Sequence, residues 1–532
     1  MSTISSDAVK RIRRTLSLLL VAVCLAALQG CASLSPVDKA PSAAIAASTG
    51  TGLGGMAAQS LSAGESAGFR ALPASALAMD ARLALTGRAE RTLDLQYYLL
   101  KDDGTGRTWM RAVRDAAGRG VRVRLLVDDL YTTGSARLLH ELAAHDNVEV
   151  RVFNPFPGGR SLTLTRWGFS LLDFARVNHR MHNKLFIADG AFAIAGGRNV
   201  ADEYFFRSET GNFVDFDLLL AGAPVDQLAA IFDTYWNSLH AYPLHALEGS
   251  RGDPLQLRSD FEHRTASAAA AFPPLPPDTR DTLGHAPLSV DLAHPPVRLL
   301  HGAVRVFADD PQKVTGRSER GDDPDTVTAA AIRACDEATA ELTLASPYVV
   351  PGRIGMDALR RVRARGVRTS LITNSLASND EPFASAAYAR YRKALLRMGV
   401  SIHEMSARPP AIAQRHGVQI AAVGRSHAKI AVIDAHTTFV GSMNMDLRSS
   451  RQNTELGVLV ESAALAAQVS GLLDELRRND TYRLQLVQPG DHITWTETVD
   501  GVTVVHADEP DVSPGRQLKL FLFSPFVPEG LL

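Results

Sequence analysis

Two short stretches of the chain combine residue types that together can move a phosphoryl group. His182-Asn183-Lys184 is followed by Asp189 and then by Gly196-Gly197-Arg198-Asn199, and His427-Ala428-Lys429 by Asp434 and Gly441-Ser442-Met443-Asn444. The histidine, lysine, aspartate, first glycine and asparagine all recur 245 residues apart. A single His-x-Lys-x4-Asp match carries little weight, since average composition gives about one in 10⁴ positions by chance. Two in register, each with glycine and asparagine at fixed offsets, indicate a duplicated site. An acidic residue follows each at a strand start: Asp215 in Asn212-Phe213-Val214-Asp215 and Glu455 in Asn453-Thr454-Glu455, 33 and 28 residues after the histidines. Two imidazoles, two ammoniums and two amides suit a phosphodiester. Cations and amides hold the non-bridging oxygens, while the histidines supply nucleophile and acid. Lysines can take the charge role of a divalent ion, so neither a metal nor an organic cofactor is expected.

The elements around these residues must bring them together. Residues 181–188 alternate in polarity, Asp189-Gly190 is a turn signal, and residues 191–195 return, which predicts a hairpin. Residues i and i+2 of a strand share a face, so His182 and Lys184 point one way, as do His427 and Lys429. Asp189 and Asp434 belong to the motifs and so to the candidate catalytic set. Parity nevertheless puts them at the turn, where charge pairing or turn chemistry is the local role. Upstream, Gly120–Val127 and Gly366–Thr373 read as equivalent buried strands, each entered from an Arg-rich helical pattern. Strands are also expected at Leu93–Leu100, Val148–Phe153, Leu342–Val350 and Val400–Met405. Each half thus runs strand–helix–strand–helix–strand, an α/β domain. Packing two such halves about a pseudo-twofold would place both His-Lys-Asn sets at one cavity.

The remaining sequence bounds the context. The chain has 532 residues, 45% of them hydrophobic, with 56 Lys+Arg against 57 Asp+Glu. That excludes global disorder and a coat for nucleic acid. Lys10, Arg11, Arg13 and Arg14 precede an apolar run from Thr15 to Leu28 that ends in Gly30-Cys31. Its length fits a signal peptide over residues 1–30 better than a spanning helix. Cleavage would take four basic residues and Asp7 away, leaving a net charge of −4. A nuclease is disfavoured on that balance. Three cysteines give no disulfide framework; Cys24 leaves with the signal and Cys335 reads as a small buried residue. Residues 31–66, rich in Ala, Ser, Gly and Pro, read as a flexible tether. The first domain is expected over 67–250, a connector over 251–305 and the second domain over 306–532. Asp309, Asp310, Lys313, Arg317 and Arg320 read as a polar solvent loop, and Arg198 and Arg448 as solvated or headgroup-contacting arginines. The Phe-rich tail Leu520–Leu532 suits either a bilayer interface or the domain surface.

With both motifs in view the sequence resembles the phospholipase D superfamily, and within it the cardiolipin-forming bacterial enzymes. The resemblance runs from about Gly68 to the C-terminus and includes Leu93–Tyr98, Val121–Asp129, Asn178–Tyr204, Leu371–Asp380 and His427–Glu455. It implies two tandem α/β/α sandwich domains, related by a pseudo-twofold and each built on a mixed sheet, that share one active site at their interface. It implies a phosphohistidine intermediate, with His182 as nucleophile and His427 as the acid that then deprotonates the acceptor. It implies that Asn199 and Asn444 bind phosphate with the lysines, and that Asp215 and Glu455 orient the histidine rings. The expected reaction is phosphatidyl transfer that forms cardiolipin, with hydrolysis to phosphatidic acid as the alternative. Expected partners are phosphatidylglycerol, phosphatidylethanolamine and a membrane. Leu28-Gln29-Gly30-Cys31 resembles a lipobox, which implies a lipidated Cys31 and a body facing the periplasm, on the outer membrane rather than the inner. One chain supplies both half-sites, so a monomer suffices; whether a further protein takes part stays open.

Overall fold

A computed structural model describes residues 37, 39–157, 173–248, 252–268, 272–316, 326–410, 422–487, 489–499, 501–512 and 515. The signal segment, Cys31, Arg317, Arg320 and the tail Leu520–Leu532 lie outside the described residues.

The first half contains strands β1 (Ala67–Leu72), β2 (Thr92–Tyr97), β3 (Arg122–Asp128), β4 (Val148–Phe153), β5 (Leu185–Ala188), β6 (Phe192–Gly196), β7 (Gly211–Val214), β8 (Asp217–Gly222) and β9 (Ala241–Pro243), with β10 (Leu300–His301) added from the connector. The second contains β11 (Ala303–Ala308), β12 (Glu341–Ala345), β13 (Arg368–Asn374), β14 (Ser401–Met405), β15 (Val423–Ser426), β16 (Ile430–Ile433), β17 (Thr437–Gly441), β18 (Leu456–Glu461), β19 (Thr481–Val487), β20 (His492–Val499) and β21 (Val502–His506). The sheets run β10-β1-β8-β6-β5-β2-β3-β4-β9 and β11-β18-β17-β16-β12-β13-β14-β19-β20-β21. Eight consecutive strands, β1 to β9 in one sheet and β11 to β19 in the other, therefore have the same order in both halves. In each sheet the strands joined by helical crossovers are parallel, β2-β3-β4 and β12-β13-β14, and the hairpin strands antiparallel.

Among the described residues, ten helices of nine residues or more serve these sheets: α1 (Gly52–Ser60), α2 (Ser75–Arg88), α3 (Gly104–Gly118), α4 (Thr132–Ala143), α5 (Ala223–Asn237), α6 (Pro254–Thr265), α7 (Val327–Asp336), α8 (Gly352–Ala364), α9 (Pro382–Arg397) and α10 (Ala463–Asn479). Local sequence explains their ends. Asp103 accepts from the amide of Gly106 at the start of α3, and Thr326 from Ala329 at the start of α7. Beyond α3 and α8, Gly120 and Gly366 adopt φ of +96° and +83°, the left-handed turn that redirects the chain into the next strand. Strands β1 and β2 are buried at every residue, because helices cover both faces of the sheet.

Three apolar clusters result. One lies under α2, α3 and α4, one under α7, α8 and α9, and one between the two sheets. That central core joins Phe69, Ile187 and Leu218 to Val440, Val458 and Val460, with α5 and α10 alongside. The two domains are thus two α/β/α sandwiches held face to face.

The tether expectation is overturned for residues 39–61. Leu53 and Ala57 of α1 are buried in the first-half core, the amide of Ala44 donates to Asp233, and the carbonyl of Ala43 accepts from Arg122. The segment also covers the Asp189–Gly190 turn so closely that a Cβ on Gly190 would lie 2.5 Å from the carbonyl oxygen of Ile45. Ala and Gly dominate here because they fit beneath a neighbouring backbone. The connector is ordered in part against the first half: α6 packs on α4, and β10 pairs with β1.

Candidate active site

The catalytic geometry arises from an exchange of strands between the halves. β7 and β15 form a parallel two-stranded sheet, with Gly211 beside Val423 and Val214 beside Ser426. At its end the amide of His427 donates to the carbonyl of Val214 at 2.8 Å. The pseudo-symmetric contact joins Met181 to Thr454, and the amide of His182 donates to the carbonyl of Thr454 at 2.9 Å. The residue after Val214 is Asp215, and the residue after Thr454 is Glu455. Each histidine therefore meets the acid of the opposite half. His182 Nδ1 lies 3.0 Å from Glu455 Oε2, and His427 Nδ1 lies 2.6 Å from Asp215 Oδ2. With Nδ1 engaged, Nε2 of each ring is left for chemistry. This pairing also limits the predicted hairpins. Regular strand starts only at Leu185 and Ile430, because the motif residues before them hydrogen-bond across the interface.

The two acids are set differently. Gly197 lets Asp215 pack against the backbone; a Cβ there would sit 2.0 Å from Asp215 Oδ1. The equivalent position is Ser442, whose hydroxyl donates to Glu455 Oε2 at 2.5 Å. Burial would raise the Glu455 carboxyl, but His182, Lys184 and the Ser442 hydroxyl pull it down to about 2. Asp215 is raised by burial, against Lys429 and Arg198. Burial lowers His182 to about 4, with Glu455 opposing and Lys184 adding. His427 lies well below the ordinary histidine range through burial, then Lys429 and Lys184. Both rings are thus neutral at pH 7. Burial also lowers both lysines, Lys429 to about 8.

Lys184 and Lys429 sit beneath the rings. Their Nζ atoms donate to the carbonyls of His182 and His427, and Lys184 also faces the Tyr98 ring at 5.1 Å. A cavity of about 1190 Å³, counting its open mouth, lies above both histidines, with Asn199 and Asn444 in its wall. Asn199 donates to the Tyr204 hydroxyl at 2.9 Å, whereas the side-chain oxygen of Asn444 is buried without a protein partner.

Aromatic residues that the sequence pattern does not single out fix the ring planes. Tyr98 meets His182 edge-on at 4.7 Å, and Tyr204 and Phe213 flank His427 at 5.1 and 5.0 Å. Their only sequence signal is position: Tyr98 directly follows β2, and Phe213 lies two residues before Asp215. Asp380, Glu381, Asp446 and Arg448 complete the wall.

Several expectations are corrected. Asp189 and Asp434 do not touch the histidines. They stand in the turns after β5 and β16, where Asp189 accepts from the amides of Glu90, Arg91 and Thr92, and Asp434 from those of Thr339, Ala340 and Glu341. Each thus ties a hairpin turn to the helix–strand loop beside it, so the structure gives neither a place at the reacting atoms. Asp309 and Lys313 are not in a solvent loop. They form a buried 2.6 Å ion pair, and Asp309 accepts from the Glu455 amide, so they stand directly behind Glu455. Arg198 is buried against Asp217 and donates to the Asp215 carbonyl. Arg448 lines the cavity and donates to Asn178. Cys335 is only partly buried, in the wall of a second cavity.

A family model for the "Cardiolipin synthase, PLD-like domain" matches twice, over residues 83–236 and 331–477. Cardiolipin synthase C of Escherichia coli (strain K12) is 34% identical over 461 residues, spanning 86% of this chain and 94% of that protein. Cardiolipin synthase 1 of Bacillus anthracis is 25% identical over 377 residues, 70% of this chain and 60% of that protein. Among solved structures, phosphatidylserine synthase of Haemophilus influenzae Rd KW20 superposes with a TM-score of 0.56 at 13% identity, covering 87% of this chain and 94% of that one, which shows a common fold.

Proposed function

The chain belongs to the cardiolipin synthase family of phospholipase D-like proteins, and from that premise we propose that it is a phosphatidyltransferase forming cardiolipin through a phosphohistidine. The observation that carries this reading is the crossed pairing of His182 with Glu455 and His427 with Asp215 at one cavity. Neutral His182 attacks phosphorus through Nε2 while the bond to the donor headgroup breaks. His427 gives a proton to the leaving alcohol, then takes one from the glycerol hydroxyl of an acceptor lipid, which displaces His182. Phosphate in the cavity stabilises the protonated form of His427, as well as the ammonium of Lys429. Lys184, Lys429, Asn199 and Asn444 supply donors for the non-bridging oxygens as charge develops.

Phosphatidylglycerol and phosphatidylethanolamine are the substrates this reading assigns, with no nucleic acid, metal or organic cofactor. Cys31, cleaved and lipidated, would hold a monomeric body against the periplasmic face of a membrane, the outer one before the inner. No helix among the described residues is long and apolar enough to cross a membrane.

Protein comprising residues 31–532 is incubated with vesicles of both phospholipids, and the products are read by lipid mass spectrometry. Cardiolipin that disappears in His182→Ala supports the proposal. Phosphatidic acid alone makes water the acceptor and the protein a hydrolase. Product formation that survives His182→Ala overturns the mechanism.

A further inference from the structure

The two halves can be matched residue by residue. The strand register pairs Thr92 with Arg122 and Glu341 with Arg368, so β2 and β12 correspond at an offset of 249, and α2 and α7 follow with them. The α3 and α8 helices, with their terminal glycines, correspond at 246, and β5 and β16 at 245. Buried positions agree: Ala78, Ala81 and Leu85 fall on Val327, Ala330 and Ala334.

On this map the space between sheet and helices is filled in one half and hollow in the other. In the first half Trp109 is fully buried, 5.3 Å from Tyr97 edge-on and 5.8 Å from Phe186. Its indole N–H donates to Thr86 at 3.1 Å, and Arg82 donates to Tyr97 and Asp217. The corresponding residues of the second half are Gly355 for Trp109, Ser346 for Tyr97, Ala431 for Phe186, Cys335 for Thr86 and Ala331 for Arg82. All five line a single, predominantly apolar cavity of about 920 Å³, counting its open mouth. The cavity wall also includes Lys429, Asn444 and Asp446, and the last two residues border the catalytic cavity as well.

Protein interiors are close-packed, so a hollow at an otherwise filled position forfeits contacts unless something occupies it. Water needs several polar partners, which these walls offer only at the end next to the catalytic cavity, where Lys429, Asn444 and Asp446 lie. A hydrocarbon chain needs none, and gains with each methylene removed from water. Resting on the phospholipid reading above, we propose that the cavity under α7 and α8 receives one fatty acyl chain of the phospholipid whose phosphate lies between His182 and His427. Asn444, shared by the two cavities, marks the junction of chain and headgroup. The first half, filled by Trp109, Tyr97 and Phe186, offers no such place, so chain recognition falls to the second half.

Two variants close the cavity from opposite walls: Ala431→Phe on β16, which installs the first half's residue, and Ala331→Phe on α7. Each is assayed with dioleoylphosphatidylglycerol and with dibutyrylphosphatidylglycerol, whose chains are too short to reach inward. Thermal unfolding establishes that each variant is folded. Both variants are expected to lose about tenfold or more of the turnover of the long-chain lipid while staying within about twofold on the short-chain one. Equal losses on both lipids, or no loss on either, overturn the proposal. A readout independent of turnover uses His182→Ala protein and a phosphatidylglycerol bearing a diazirine at one acyl terminus. Crosslinks are expected in residues 327–362 and should disappear when Ala431→Phe is added. Crosslinks elsewhere overturn the acyl site. If the wild-type protein turns over neither lipid, the phospholipid reading itself fails, and the crosslinks separately report whether a chain enters.

Discussion

In the first half, Trp109, Tyr97 and Phe186 fill the space between α2, α3 and the sheet; in the second, the same space is left to Gly355, Ser346 and Ala431. The halves also hold their acids differently, Asp215 against Gly197 and Glu455 beneath Ser442. Fold and motif are common to both, so these differences show which parts of a duplicated scaffold are free to diverge. Chemistry is shared across the interface. Packing has become the task of one half and substrate space that of the other.

The comparison breaks most sharply at the histidines. His182→Ala and His427→Ala should each lower kcat by about 10⁴-fold or more, and the double variant should be little worse, because the two act as a unit. Reactions with phosphorus-labelled lipid, quenched in denaturant at alkaline pH where a histidine N–P bond survives, separate their roles. Labelled protein is expected from His427→Ala and none from His182→Ala; the reverse result would exchange nucleophile and acid between the halves.

The acids come next. Glu455→Gln and Asp215→Asn should each cost about 10²- to 10³-fold in kcat, the range in which positioned proton transfer operates. Their pH profiles should differ. In the proposed mechanism His182 attacks only when neutral and its pKa is lowered to about 4, so kcat/KM should fall as pH drops through about 4. Glu455 is the group that opposes this lowering, so its removal should move that acid limb to still lower pH. Asp215→Asn should leave the limb in place.

A structural contrast follows from the filled half. Trp109→Ala should cost about 3–5 kcal/mol in chemical denaturation, as expected for emptying a packed aromatic site. The kcat of the folded fraction should change little. The smallest effect is expected at the hairpin turns. Asp434→Asn should cost about 1–3 kcal/mol of stability through the amides it leaves unpaired, with kcat kept within about threefold. Burial opposes it, but the backbone amides of residues 339–341 hold Asp434 at about 2, below its ordinary 3.8. Its contribution is therefore present above about pH 4 and lost as pH falls toward 2. A collapse of kcat in Asp434→Asn would return this residue to the reacting centre.

Much of this was legible in the sequence because it rests on types at fixed spacing. The two motifs, the repeated strand–helix pattern and the two acids all have that form. The crossing was not legible, since Glu455 is 273 residues from His182 and no local pattern says which acid serves which ring. Arg198, Asp309 and Lys313 were misplaced because charged residues are usually at the surface. Arg198 is buried against Asp217 and the Leu72 carbonyl, and the Asp309–Lys313 pair against the Glu455 amide and the Ser449 carbonyl, groups that no local pattern announces. The α1 segment hid behind its composition; Leu53 and Ala57, four residues apart, form a buried face too narrow to register as periodicity.

The exchange of acids between halves also governs when the protein becomes dangerous. A ribosome that has finished the first half has made His182 and Lys184 but not Glu455. On the proposed mechanism the nucleophile then lacks the acid that would orient it, and Asp215 has no ring to hold. A truncated or half-translocated chain is therefore inert toward the lipids around it. Activity would begin only when residue 455 has folded against residue 182, so turnover itself certifies that the two halves have met.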